Sequence, residues 1–194
     1  MSGVSKAIVQ PLLSWYDAGH RDLPWRSEPA PYRVWVSEIM LQQTRVEAVR
    51  GYFSRWMNAL PDIPALAAAD EAVYTKLWEG LGYYSRVRNL HRAAVLLCEE
   101  YGGELPADYD RLLALPGVGE YTAGAVASIA FGLPVPAVDG NVLRVAARLD
   151  NDFTPITDAK FKKQTRERFA ALMPSDRPGD LNQSLMELGA TVCL

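Results

Sequence analysis

LPGVGEYTAGAV, residues 115–126, joins a short apolar segment to a run of small residues, and its reading decides the fold. Pro116, Gly117, Val118 and Gly119 spell a tight turn. Two glycines so spaced admit left-handed backbone angles and let another molecule come close to the main chain. The helix expected next, from Glu120 to Phe131, opens with unpaired N–H groups near Glu120–Thr122 and with the positive end of its dipole. Together these make an anion site that a phosphodiester fits without any side-chain charge. An ordinary helix–helix turn would carry the same glycines. What lengthens the match is its flanks, and an Asp139 that follows Gly119 by 20 residues.

Outward from the hairpin the pattern is helical nearly throughout. Apolar periodicity and stop signals predict helices over Lys6–Ala18, Tyr32–Gln43, Val46–Leu60, Ser85–Tyr101, Tyr109–Leu115, Gly140–Leu149, Ala159–Leu172 and Pro178–Ala190. Another helix carries Val73, Leu77 and Trp78, with Asp70 as N-cap; Asp108 caps the short helix before the hairpin. Pro61 and Pro64 read as stops. Leu90, Ala94 and Leu97 form one stripe of the long helix. The only strand-like stretch, Leu133–Val138, contains two prolines and makes a poor strand. The chain reads as all-α, with its best internal boundary at Pro134–Pro136.

Two carboxylates stand out. In VWVSEIMLQQT, 34–44, Glu38 is the only charged residue, and Val34, Trp35, Leu41 and Gln42 neighbour it at helical spacing. Such a carboxyl should be partly desolvated, which favours its protonated form and suits a proton donor near neutral pH. Pairing with Arg33 or Arg45, or escape to solvent, is the plainer alternative. Asp139 opens VDGNVLRVAARL, 138–149, where it serves as an N-cap, and backbone N–H groups there should keep it ionised. Val142, Val145 and Leu149 are expected to form the buried stripe of that helix. An ionised Asp facing a protonated Glu is the pair that acid-assisted C–N cleavage requires.

Composition narrows the classes. The 194 residues are 49% hydrophobic, as in ordinary globular proteins, and no apolar run approaches a membrane span. The first residues lack the pattern of a signal peptide. Two cysteines, Cys98 and Cys193, offer no disulfide framework and fit a reducing interior. His20 and His91 are not spaced as a metal pair. The net charge of −3 argues weakly against nucleic acid, but Arg86, Arg88 and Arg92, and Lys160, Lys162, Lys163, Arg166 and Arg168, form local basic stretches.

Five segments in order, LPWR at 23–26, WVSEIMLQQTRV at 35–46, GLGYYSRVRNL at 80–90, LPGVGEYTAGAV at 115–126 and VDGNVLRV at 138–145, resemble the helix-hairpin-helix DNA glycosylases, and most closely the A/G-specific adenine glycosylases of the MutY type. The resemblance runs from about Leu12 to Cys193. It implies two all-α lobes flanking a DNA-binding cleft: a six-helix barrel over 31–136, and a second lobe from 1–30 and 137–194. It implies roles as well. Glu38 matches the general acid that protonates the adenine leaving group and then assists water. Asp139 matches the carboxylate that stabilises the oxocarbenium-like sugar. Tyr121 and Asn141 match groups that orient the reacting atoms. Gln43 matches a wedge entering the base stack and Tyr83 an aromatic beside the opposite base, within a DNA-contacting set that adds Thr44, Leu81, Arg86, Gly117 and Gly119. Trp25 and Arg26 lie in the segment lining the adenine pocket.

The implied activity is base excision repair of adenine opposite 8-oxoguanine or guanine, by a monomer acting on double-stranded DNA inside the cell, with the bacterial nucleoid as its expected place. The rival of the same fold is the endonuclease III type, which excises oxidised pyrimidines with strand cleavage through a lysine just after the hairpin. Tyr121 stands there instead, and no lysine occurs between Lys76 and Lys160. A non-enzymatic alternative is an inactive DNA-binding fragment that uses the hairpin alone. The family also binds a [4Fe–4S] cluster through four cysteines. Here Cys193 matches the first and the other three are absent, so the chain is expected to be truncated, to lack the domain that reads 8-oxoguanine, and not to hold the cluster.

Overall fold

A computed structural model describes residues 6–193. Among them every regular element is helical. A 3-10 turn at Lys6–Ile8 leads into α1 (Val9–Gly19); then come α2 (Pro31–Leu41), α3 (Val46–Ala59), α4 (Ile63–Ala67), α5 (Glu71–Trp78), α6 (Ser85–Tyr101), α7 (Tyr109–Leu113), α8 (Glu120–Phe131), α9 (Gly140–Asp150), α10 (Ala159–Ala170) and α11 (Pro178–Thr191). No helix among the described residues is long and apolar enough to cross a membrane.

The chain divides into two compact units, 22–126 and 1–21 with 127–194. This division falls inside α8, ahead of the Pro134–Pro136 segment. In the unit 22–126, α2 packs on α3 and α6, and α6 also packs on α4 and α5. The expected stripe Leu90, Ala94 and Leu97 is buried there, with Trp35, Phe53, Trp56, Leu66 and Trp78. Full burial of each large side chain contributes about 1.5–3 kcal/mol. Trp56 and Trp78 meet edge to face at 5.6 Å, and Trp56 Nε1 donates to Tyr32 Oη at 3.0 Å, so the indole enters the core with its polar atom satisfied.

The sequence pattern does not reveal α4. Pro61 and Pro64 suggest only stops, but Pro64 sits in the first turn of α4, where its missing N–H costs nothing, and Asp62 caps that turn by accepting from Ala65 N at 2.8 Å. Asp108 caps α7 as expected, accepting from Arg111 N at 2.9 Å. Asp70 occupies the N-cap of α5 but makes no side-chain capping bond.

In the other unit, α1 and α9 pack on α11, and α10 packs on α9. Val9, Leu13, Val142, Val145, Ala146, Phe169, Leu181 and Leu185 share one core. Leu149 does not join it. It is half exposed, while α9 buries Val142, Leu143, Val145 and Ala146. Arg21 clasps the buried Glu187 through Nε at 2.7 Å and Nη2 at 2.9 Å, tying the end of α1 to α11. The buried Asn182 accepts from Ala137 N and donates to Val135 O, so one amide holds the proline-rich joint where no ladder could.

Candidate functional site

The hairpin between α7 and α8 has the conformation its glycines suggest at one position. Gly117 has φ +76°, and a Cβ added there would lie 2.6 Å from Asn89 Cβ on α6, so both backbone angle and space demand glycine. Gly119 does not take a left-handed angle; its α-carbon faces open space, and its carbonyl accepts the first α8 bond from Ala123 N. Both glycines are exposed beside the α8 N-terminus. That is the geometry in which backbone N–H groups receive an anion.

The same turn sets the position of Tyr121. From the first turn of α8 its hydroxyl donates to Glu38 Oε2 at 2.5 Å. Glu38 lies on α2 between buried Val34, Trp35 and Ile39 and is itself only 5% exposed. Gln42 Nε2 adds a second link, donating to Thr122 Oγ1 at 3.3 Å. The end of α2 and the start of α8 therefore hold a carboxyl group in an apolar surround, with a phenol as a named partner. The Tyr121 hydroxyl satisfies one oxygen of that buried carboxyl.

Asp139 occupies a different kind of place. It caps α9, with Oδ1 accepting from Val142 N at 2.8 Å and Oδ2 from Asn141 Nδ2 at 2.6 Å. Arg144 Nη2 in turn donates to Asn141 Oδ1 at 2.7 Å and to Gly189 O at 2.9 Å. Burial pushes the Asp139 carboxyl above its ordinary value, outweighing the opposing pull of the Val142 and Asn141 bonds and of the Arg144 charge. The N-cap forms as read, and desolvation is the largest influence on its carboxyl. Arg144, three residues beyond Asn141 and so on the same helix face, was missed. That i, i+3 spacing was the available signal.

Gln43 and Tyr83 share an unusual feature. Both are exposed, Tyr83 by 63%, and both have left-handed backbones, φ 58° and 47°. Thr44 is half-buried, and its hydroxyl donates to Gln42 O at 3.4 Å. Arg86 is turned inward, with its guanidinium against carbonyls of the protein's own backbone. Leu81 and Trp25 are buried, Trp25 edge-on to Phe53 at 5.4 Å; Arg26 is half-buried, with its N–H donating to Leu23 O.

Cluster ligation takes four thiolates. The two cysteines lie in different units, and no group of three or more His, Cys, Asp or Glu among the described residues could hold a metal. Cys193 Sγ instead neighbours Arg148 Nη1 at 2.9 Å. The residues of this chain do not by themselves fit an iron–sulfur cluster.

Comparison with known proteins bears on these features together. Adenine DNA glycosylases of Mus musculus and Homo sapiens are 48% and 47% identical over 94% of this chain, and that of Mycolicibacterium smegmatis is 45% identical over 94%. The chain spans only 37%, 35% and 62% of their respective lengths. Among solved structures, a thermostable thymine-DNA glycosylase matches with a TM-score of 0.85 at 27% identity, covering 97% of this chain and 87% of its own. A non-covalent endonuclease III–DNA complex shows the same fold, with a TM-score of 0.82 at 24% identity over 98% of this chain and 88% of that one. The model of the HhH-GPD superfamily base excision DNA repair proteins matches residues 36–173. With that match over most of its length, the chain belongs to the HhH-GPD superfamily of base excision DNA repair proteins.

Proposed function

We propose that this chain is the catalytic part of a monofunctional adenine DNA glycosylase that hydrolyses the N-glycosidic bond of adenine mispaired with 8-oxoguanine or guanine in double-stranded DNA. One observation carries the reading: a carboxyl buried on α2, hydrogen-bonded by the tyrosine that follows the hairpin. In the proposed reaction Glu38 gives its proton to the flipped-out adenine. The C1′–N9 bond breaks, its electron pair leaves with the base, and positive charge develops on the sugar. Asp139, held by Asn141 and Val142 N–H, stabilises that charge. Glu38 then takes a proton from the water that attacks C1′, and the product is an intact strand with an abasic site. Asp139 acts on a sugar cation, so an ionised carboxylate is required of it; an anion aimed at developing positive charge is a preorganised electrostatic device.

Flipping the base costs a few kcal/mol, and an inserted side chain offsets part of this. The exposed Gln43 and Tyr83 are the proposed wedge and intercalating aromatic. The backbone around Gly117 and Gly119 is the proposed phosphate contact, which positions the strand without reading sequence. Arg26 is the proposed polar contact to the base, with Trp25 fixing its segment from beneath. The protein is expected to act as a monomer.

Glu38→Gln keeps the shape and hydrogen-bonding capacity of the side chain but cannot deliver the proton. In the full-length protein, single-turnover adenine release should fall about 10²–10⁴-fold, with mismatch affinity retained. Near-normal release would remove Glu38 from the role.

A further inference from the structure

We infer that Arg86 is a positioning residue that locks Gln43 and Tyr83 into one preorganised pair. Its Nη1 faces Ile39 O at 2.9 Å, Met40 O at 3.2 Å and Gln42 O at 2.5 Å, the last carbonyls of α2 and its exit. Its Nη2 donates to Leu81 O at 3.0 Å and Gly82 O at 3.2 Å, in the turn before α6. One planar guanidinium thus bridges two chain segments that are far apart in sequence. Each acceptor set is followed at once by a non-glycine residue with a left-handed backbone, Gln43 after Gln42 and Tyr83 after Gly82. These are also the exposed side chains proposed to enter the base stack. A bulky residue keeps such a conformation only where its surroundings over-determine it.

The rest of the surround supports this assignment. Trp78, fully buried, lies 5.3 Å from the guanidinium and donates from Nε1 to Gly82 O at 3.0 Å; the Tyr83 ring lies 5.6 Å from the guanidinium on the exposed side. Arg86 Nε is buried without a hydrogen-bond partner, so the group gives up hydration to hold this place. A cation meant for a phosphate would keep its fork toward solvent. This fork is spent on five carbonyls. A lysine carries the same charge but cannot reach both carbonyl sets with one ammonium.

The inference rests on the reading of Gln43 and Tyr83 as DNA-inserted residues, so its test has one readout that involves no DNA. In the full-length Arg86→Lys protein, amide hydrogen exchange should rise tenfold or more in both 39–44 and 80–85, with α9 and α11 unchanged. Adenine release in single turnover should fall at least tenfold, and in a Tyr83→Ala background the same change should cost less than threefold more. The slope of affinity against salt should not change, whereas loss of a phosphate contact lowers it by about one counterion. Unchanged exchange in either segment, additive losses in the double variant, or a reduced salt slope would each overturn the inference. If exchange rises in both segments while Gln43→Ala and Tyr83→Ala leave release intact, the clamp stands and the insertion reading falls. Trp78→Phe, which removes the bond to Gly82 O together with part of the buried indole, is the second variant. It should raise exchange in both segments to a smaller degree, and a rise confined to 80–85 would overturn the coupling.

Discussion

Glu38 and Asp139 carry the same functional group in opposite settings. Glu38 sits in the middle of a helix among apolar side chains, with a tyrosine hydroxyl as its named partner. Asp139 sits at a helix start, where a backbone N–H, an amide and, behind the amide, an arginine all favour a negative charge. At Asp139 burial outweighs those favourable bonds, so its carboxyl stands above its ordinary value even though its partners favour the anion. Where two carboxyls act as acid and anion in one reaction, their surroundings have to separate them, and the proposed roles give the acid to the residue within α2 and the anion to the cap of α9.

Exchanging the anion for a neutral isostere tests that contrast most severely. Asp139→Asn should lower single-turnover release by about a hundred- to a thousand-fold, because the cap survives in an asparagine while the charge does not. A loss of less than tenfold would erase the distinction between the two sites. Gly189→Ala attacks the same site from behind. A Cβ there would lie 2.6 Å from Asn141 Cβ and 2.9 Å from its carbonyl oxygen. The overpacking should cost about 1–3 kcal/mol, read as a lowered Tm, with release reduced because Asn141 can no longer hold Asp139 in place. Tyr121→Phe acts on the Glu38 side and removes one hydroxyl. About 1.5 kcal/mol for one such hydrogen bond corresponds to roughly a tenfold loss of release, and an unaffected rate would mean that the phenol is a bystander.

The smallest effect is a dependence on pH. The folded Asp139 carboxyl has a raised pKa, so the native state holds its proton more tightly than the unfolded state does. Its ionisation therefore costs stability as pH rises from the ordinary carboxylate value through the folded one, and the cost is absent below both. Asp139→Asn should then be at least as stable as the parent at neutral pH. The Tm advantage should shrink toward pH 4, and an advantage that grew on acidification would contradict the raised value.

Local chemistry makes part of this legible in the sequence itself. A capping Asp ahead of a helix, a glycine pair between two helices and a lone Glu in an apolar run each state a local preference, and Asp108, Gly117 and Glu38 behave accordingly. What escapes such reading depends on distant chain. The carbonyls that engage Arg86 Nη1 come from residues more than 40 positions away, so sequence shows only a cation near other cations. Leu149 has the right period for burial, but whether a neighbouring side chain covers it is a tertiary matter, and it is half exposed. α4 is hidden because a proline can end one helix or open the next, and the residue type alone does not say which.

The proposed chemistry is hydrolysis rather than lysis, with Glu38 as acid and no amine nucleophile after the hairpin. The direct measurement is product analysis with the full-length protein on a duplex carrying adenine opposite 8-oxoguanine, with and without borohydride. The expected products are free adenine and a strand that breaks only after alkali or heat, with no borohydride-trapped cross-link. Prompt strand cleavage with efficient trapping through a lysine would contradict that chemistry.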